Sequence, residues 1–128
     1  MSKVPGNLSY TKEHEWVQIV DGNSIRFGIT DFAQEALGDI VFVTLPAVGD
    51  EIALGESCGE VESTKSVSDI YAPVSGRISA VNDLVETSPE TINQDPYGNG
   101  WIAQVEVETS ALTGLLTADE YLAITSAS

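Results

Sequence analysis

The segment Glu60-Val61-Glu62-Ser63-Thr64-Lys65-Ser66-Val67-Ser68-Asp69 decides the fold class, because two strand-like runs meet there through a very short connection. The connecting residues 63–66 contain no Gly or Asn, which disfavours the primed hairpin turns that need positive φ angles. A type I turn tolerates these residue types, with Thr64 and Lys65 as its central pair. The segment therefore predicts a tight hairpin that projects Lys65 outward from its tip.

Short strand-like runs, separated by Gly, Pro and Ser, flank this hairpin on both sides. We expect strands within residues 15–20, 24–29, 40–45, 51–54, 57–62, 67–72, 76–81 and 101–107. Residues 40–45 are apolar and end before Pro46, which predicts a buried strand. Residues 88–100 are rich in Pro and Gly and predict a loop with one helical turn. Strands spaced this closely are typical of an all-β sandwich or barrel.

Helix signals occur in two places. Asp31 and Gln34 form a predicted capping box, and Gly38 is placed to end the helix that they begin. Thr117 and Glu120 form a second capping box, which predicts a short C-terminal helix. A weak internal sequence similarity relates residues 81–86 to residues 48–53 and suggests two similar halves around the central hairpin.

Composition limits the possible functions of this 128-residue chain, which is the size of one domain. Asp and Glu total 20 against 5 Lys and Arg, a net charge of -15 that disfavours nucleic-acid and membrane partners. The same charge favours partners with basic docking surfaces. No signal peptide or membrane-spanning run is evident, and a single cysteine, Cys58, excludes an internal disulfide. We therefore expect a cytoplasmic protein.

Lys65 is the residue with the clearest chemical potential. It is the only lysine after residue 12, and the acidic residues Glu60, Glu62 and Asp69 favour its charged form. A catalytic lysine would need burial that lowers its pKa, so Lys65 fits a substrate of a modifying enzyme better than a nucleophile. On turn geometry alone, an unmodified surface lysine remains the simpler interpretation. His14, the only histidine, is expected to be an ordinary strand residue, so we predict neither a metal site nor catalytic residues.

A family resemblance favours a modified Lys65 over an unmodified surface lysine. Residues 62–69, followed by Ala72-Pro73-Val74-Ser75-Gly76, resemble the lipoylation segment of the H protein of the glycine cleavage system. Further segments that resemble the family in order and spacing are residues 10–17, 28–34, 37–43 and 95–101. The resemblance thus covers nearly the whole chain, which makes it far more specific than a lysine motif.

The resemblance implies a fold that is mainly β. It is a lipoyl-domain-like barrel-sandwich hybrid of two small sheets, with a short helix after the first hairpin and a short C-terminal helix. Residues 1–128 would form a single lipoyl-carrier domain. Its expected parts are an N-terminal hairpin and helix at residues 9–38, a central hairpin sandwich at 40–108 and a helix at 117–126.

The resemblance also implies a non-catalytic carrier with lipoate in amide linkage on Lys65. We expect this carrier to be a monomer. A lipoate ligase or a lipoyl/octanoyl transferase would attach the lipoate. The carrier would receive the aminomethyl group of glycine at glycine decarboxylase, a pyridoxal-phosphate enzyme. It would deliver that group to a tetrahydrofolate-dependent aminomethyltransferase, and dihydrolipoamide dehydrogenase would reoxidise the dithiol.

Further site residues follow from the same resemblance. Glu15, Ser68 and Asp69 match the cleft into which the loaded arm folds back, where a carboxylate could pair with the cationic amine. Ala36 and Glu13 depart from residues found in some members, which affects the cleft but not the carrier role. The turn that the modifying enzyme would recognise comprises Glu62, Ser63, Thr64 and Ser66.

Three alternatives remain at this stage. The first is a lipoyl relay protein that donates lipoate to other enzymes, or a carrier whose glycine-cleavage partners are missing. The second is a biotin carrier, although residues 63–66 lack the methionines that flank the lysine in that family. The third is a structural β-module with an unmodified lysine.

Overall fold

A computed structural model describes residues 4–107 and 114–126. In this part of the chain, two antiparallel sheets are accompanied by four short helices, α1 Asp31–Leu37, α2 Asp83–Thr87, α3 Thr91–Gln94 and α4 Ala118–Ser126. The strands in chain order are β1 Ser9–Tyr10, β2 Glu15–Asp21, β3 Ser24–Ile29, β4 Ile40–Thr44, β5 Glu51–Ile52, β6 Ser57–Ser63, β7 Val67–Tyr71, β8 Gly76–Val81 and β9 Ala103–Glu106. The predicted mainly-β fold of two sheets is confirmed.

The sheets differ in size. One has six strands in the order β1-β2-β3-β9-β8-β5, and the other has three strands in the order β4-β6-β7. Successive side chains along a strand point to opposite faces, so each sheet can bury one apolar face. The main core lies between the buried faces and includes Ile25, Phe27, Val61, Ile70 and Val105. The central hairpin β6–β7 therefore belongs to the smaller sheet and is anchored by its inner face.

A second apolar cluster joins the two ends of the chain. Tyr10, Trp16 and Tyr121 are each fully buried there, and the rings of Tyr10 and Tyr121 stack with centroids 4.8 Å apart. The indole of Trp16 donates to the Pro96 carbonyl over 2.9 Å. Helix α4 is thereby packed against the beginning of the six-stranded sheet.

Strand β4 departs from the prediction of a buried strand. Only Ile40 and Val43 are buried, whereas Val41 and Phe42 are 49% and 55% exposed. The strand lies at the edge of an antiparallel sheet, and its register shifts between Ile40 and Phe42. Such a bulge breaks the alternation of side chains, so two successive apolar residues face outward.

The helix signals are correct in position, with one correction. Helix α1 has Thr30 as its N-cap, whose Oγ1 accepts from the Ala33 amide, whereas Asp31 lies inside the first turn. Gln34 still contacts Asp31 through its side-chain amide, at 2.7 Å, and Gly38 ends the helix with φ +84°. The second capping box is confirmed: the Thr117 amide donates to Glu120 Oε1, and the Glu120 amide donates to Thr117 Oγ1.

The weak sequence similarity between the two halves is not accompanied by the same secondary structure. Residues 51–52 form a strand, whereas residues 83–87 form helix α2, because the Asn82 side chain caps a helix by accepting from the Leu84 amide. Strand β1 was not predicted, and β5 and β9 are shorter than expected. The predicted helical turn within residues 88–100 is confirmed by α3. Residue 108, the expected end of the central part, lies outside the described residues.

Across residues 4–107 and 114–126, the helices include none with the length and apolar character needed to span a membrane.

Candidate functional site

The turn at the tip of β6–β7 is held by the hydroxyl of Ser63. This Oγ accepts from the amides of Lys65 and Ser66, each at 3.1 Å, and contacts the Ser66 carbonyl at 3.2 Å. The Ser63 amide donates to the same carbonyl over 2.8 Å. Within the described chain, His14 is the only non-glycine residue with positive φ, so the primed turns are excluded as predicted. Ser63 is buried, whereas Glu62, Thr64 and Ser66 are exposed and accessible to a modifying enzyme.

A second set of hydrogen bonds ties this turn to the corner between α1 and β4. The Thr64 amide donates to the Asp39 carbonyl over 3.1 Å. On the other side of that corner, the Asn93 side chain accepts from the Ile40 amide at 2.9 Å and donates to the Gly38 carbonyl at 2.9 Å. Asn93 from α3 therefore holds the corner to which the turn is attached.

Lys65 is exposed, and its side chain extends over Gly38. A Cβ atom added to Gly38 would lie 3.0 Å from Lys65 Cε and 3.7 Å from Nζ. The positive φ of Gly38 also disfavours any residue with a side chain. Glycine at this corner thus leaves room for the lysine methylenes, and the amine stays at the surface, where acylation is possible.

The acidic residues around Lys65 lie on the outer face of the small sheet. Glu60 is directly opposite Asp69, and Glu62 is opposite Val67. All four are exposed, and Asp69 Oδ1 accepts from the Ser57 hydroxyl over 3.2 Å. The field around the lysine is therefore negative, as the sequence predicted.

Glu15 lies at the junction of the two sheets and is only 2% exposed, so it is not a solvated side chain on the surface of β2. Its carboxyl group accepts from Thr11 Oγ1 at 2.7 Å and from the Tyr71 amide at 3.4 Å. Burial raises the pKa of Glu15 to about 8, and these two hydrogen bonds offset part of that effect. A buried carboxyl group that stays protonated near neutral pH is poised to ionise when a cation arrives.

The other two predicted cleft residues lie close to Tyr71 on the same strand, β7. Ser68 is half-buried opposite Val61, and Asp69 is exposed on the outer face. Side chains of consecutive strand residues point to opposite faces, so only one of the two can turn toward a given arm position. The structure therefore brings Glu15 to β7 but separates Ser68 from Asp69.

Sequence reasoning missed several residues that support these groups. Thr11 and Asn93 were not singled out, because their partners are identified only by the fold. His14 is not a strand residue: it precedes β2 with φ 67°, and its Nδ1 lies 2.7 Å from the Tyr121 hydroxyl. Among the residues that the structure describes, no group of three possible ligands could hold a metal ion.

Comparison with known proteins gives consistent matches over almost the whole chain. A family model described as glycine cleavage H-protein matches residues 8–128. The glycine cleavage system H protein of Mycolicibacterium vanbaalenii is 54% identical over 127 residues, covering 96% of this chain and 97% of that protein. The protein of the same name from Coprothermobacter proteolyticus is 56% identical over 120 residues, covering 93% and 94%. A crystal structure of a glycine cleavage system H protein from Mycobacterium marinum superposes with a TM-score of 0.90 at 50% identity, covering 96% and 99%.

Proposed function

The chain belongs to the glycine cleavage H-protein family, and from this premise we propose that Lys65 is the residue that carries the lipoyl group in amide linkage. The protein is a carrier of the glycine cleavage system. The observation that supports Lys65 as the attachment residue is its exposed position at the tip of a turn that Ser63 and the Asp39 carbonyl hold in place.

The carrier role needs no catalytic side chain of its own. When bound, the lipoyl group would supply the cyclic disulfide that accepts the aminomethyl group of glycine and is reduced in doing so. The chain shuttles this group from the pyridoxal-phosphate decarboxylase to the tetrahydrofolate-dependent aminomethyltransferase, and passes electrons to dihydrolipoamide dehydrogenase. Tethering to Lys65 raises the local concentration of the reactive end at each partner. We propose that the protein acts as a monomer in the cytoplasm.

We assign Glu15 the role of holding the cationic amine of the loaded arm. Its buried carboxyl group, with a pKa raised to about 8, would gain a partner on ionisation, since an opposite charge favours the ionised form. Ser68 and Asp69 lie nearby on β7 and face opposite sides of the strand, so one of the two would line the path from Lys65. Exclusion of water around the amine would slow the release of ammonia.

Substitution of the attachment residue tests this function. Protein from a lipoate-competent host should gain one lipoyl mass, and peptide mapping should place it on Lys65. Lys65→Arg should lose both that mass and glycine–bicarbonate exchange with the decarboxylase, because arginine cannot be acylated. Lys12→Arg, a change at another exposed lysine, serves as the matched control and should retain both. Exchange retained by Lys65→Arg would rule out Lys65 as the attachment residue.

A further inference from the structure

An exposed row of three side chains, the outer two of them apolar, crosses the outer face of the small sheet beside the turn that presents Lys65. Phe42, Glu62 and Val67 are neighbours in register, because Glu62 pairs with Phe42 on one side and with Val67 on the other. Phe42 is 55% exposed and Val67 is 57% exposed. We call these three residues the outer row. Val41, 49% exposed, extends its apolar surface along β4.

The exposure of Phe42 and Val67 is set by the geometry of the sheet and is not a result of too little room in the core. The inner face is already filled by Val43 opposite Val61, both of which are buried. The register shift before Phe42 turns Val41 and Phe42 outward together. Single exposed apolar residues are ordinary, whereas large ones grouped on one face beside a functional residue indicate an interaction surface.

The position of the outer row indicates which partner it serves. Glu62 and Val67 form the strand pair next to the turn that presents Lys65. Two strand spacings place Phe42 roughly 10 Å from Val67, well within the footprint of an ordinary protein interface. Acylation forms an amide bond between Lys65 Nζ and an activated acyl group, releasing the activating group and a proton. The acylating enzyme must therefore close around the amine itself, whereas enzymes that act at the far end of a loaded arm can stand away from the turn.

Charge indicates the chemistry of the partner's surface. Glu62 lies within the outer row, and Glu60 and Asp69 face each other two positions further along the ladder, on the same face of the sheet. A matching surface needs an apolar contact for Phe42 and Val67, surrounded by lysine or arginine side chains.

We propose that the outer row is the docking surface for the enzyme that acylates Lys65, and that this enzyme presents an apolar patch ringed by basic residues around the entrance for the amine. This inference rests on the proposed function of Lys65. It assigns a binding role to Phe42 and Val67, which are not part of the turn itself.

Steady-state acylation of a double variant tests the proposal. Phe42→Thr with Val67→Thr keeps β-compatible residues on the exposed face, so the fold should be retained, as circular dichroism will verify. With an ATP-dependent lipoate ligase, lipoate and varied carrier concentration, we expect KM for the carrier to rise about tenfold and kcat to change less than about twofold. Each single variant should show a smaller rise, and serves as the measurement if the double variant unfolds.

A control on the other sheet separates docking from a general loss of exposed apolar surface. Ile19 and Val20, 62% and 45% exposed on β2, are changed to threonine in the matched variant. Its KM should equal that of the original protein. An equal rise in both double variants, or no rise in either, would overturn the proposal.

Two further outcomes are distinguishable. If the outer-row variant is acylated normally but its loaded form fails in glycine–bicarbonate exchange, the surface serves the decarboxylase and the proposal is wrong. If the original protein is not acylated on Lys65 at all, the proposed function fails, and the docking inference fails with it.

Discussion

At the scale of single residues, Glu15 makes the stability of the protein depend on pH. Its pKa is raised from 4.5 to about 8 in the folded state, so between these values the folded carboxyl group holds a proton that the unfolded chain has released. The contribution of this group to the free energy of unfolding is fully present below pH 4.5 and is lost as the pH rises toward 8. Glu15→Gln removes the ionisable group while keeping its size and polarity.

We therefore expect the variant to become more stable relative to the original protein as the pH rises. The difference in unfolding free energy should shift by on the order of 3 to 4 kcal/mol between pH 5 and pH 8. Urea unfolding at several pH values measures it, and comparison of the two proteins cancels the titration of their other groups. A difference that stays constant with pH would mean that Glu15 is already ionised in the folded protein.

Lys65 and Glu15 show how much of the candidate site can be predicted from the sequence alone. Lys65 could be located because the signals for a hairpin tip are all local, within residues 60–69. The burial of Glu15 could not be predicted, because its cover includes Tyr71 on another sheet, 56 positions away in sequence. A period-two pattern identifies which face of a strand is apolar, but not which other element lies across that face.

At the scale of secondary-structure elements, Asn93 connects α3 to the corner that supports the lysine turn. Asn93→Ala removes its contacts with the Ile40 amide and the Gly38 carbonyl, which should cost about 1–3 kcal/mol of stability. Because the Thr64 amide donates to the neighbouring Asp39 carbonyl, its hydrogen exchange should speed up. NMR measurement of amide exchange at Thr64 checks this.

The matched control is Gln94→Ala, an exposed position on the same short helix. It should leave the exchange rate of Thr64 unchanged. If Asn93→Ala also leaves it unchanged while lowering stability, then Asn93 supports the fold without positioning the turn.

Elements were predicted best where local chemistry decides them. Gly38 and the Thr117–Glu120 pair mark helix ends through hydrogen bonds within a few residues, and both were predicted. The prediction that strand β4 is buried was wrong, because an apolar run has the same sequence pattern at the edge of a sheet and at its centre. Its outward-facing Phe42 depends on a bulge that only pairing with β6 reveals.

At the scale of the whole molecule, the net charge of -15 should steer basic partners toward the carrier. Added salt shortens the screening length from about 10 Å at 0.1 M to about 3 Å at 1 M. We expect kcat/KM for acylation of Lys65 to fall several-fold over this range, mainly through KM. The activation of lipoate in the absence of carrier, followed as pyrophosphate release, is the control for effects of salt on the ligase. Equal salt dependence of the two reactions would argue against steering.

The all-β class was predictable from the spacing of strands and turns, and the arrangement of two sheets followed from the family resemblance. The negative sign of the surface field was predictable from composition. The division into six and three strands was not, because it depends on which short strands pair across long stretches of sequence. Strand β3, for example, pairs with β9 and not with the next strand in the chain.

The attachment of the turn to the α1–β4 corner has a mechanical consequence. A hairpin alone can twist and bend about its own axis, but one fastened at its tip by the Asp39 carbonyl resists both motions. The lipoyl arm that we propose on Lys65 would then swing from a fixed pivot and reach the same region of space in every molecule. Successive partner enzymes would then meet the loaded end of the arm in the same region of space, without a conformational change of the carrier between encounters.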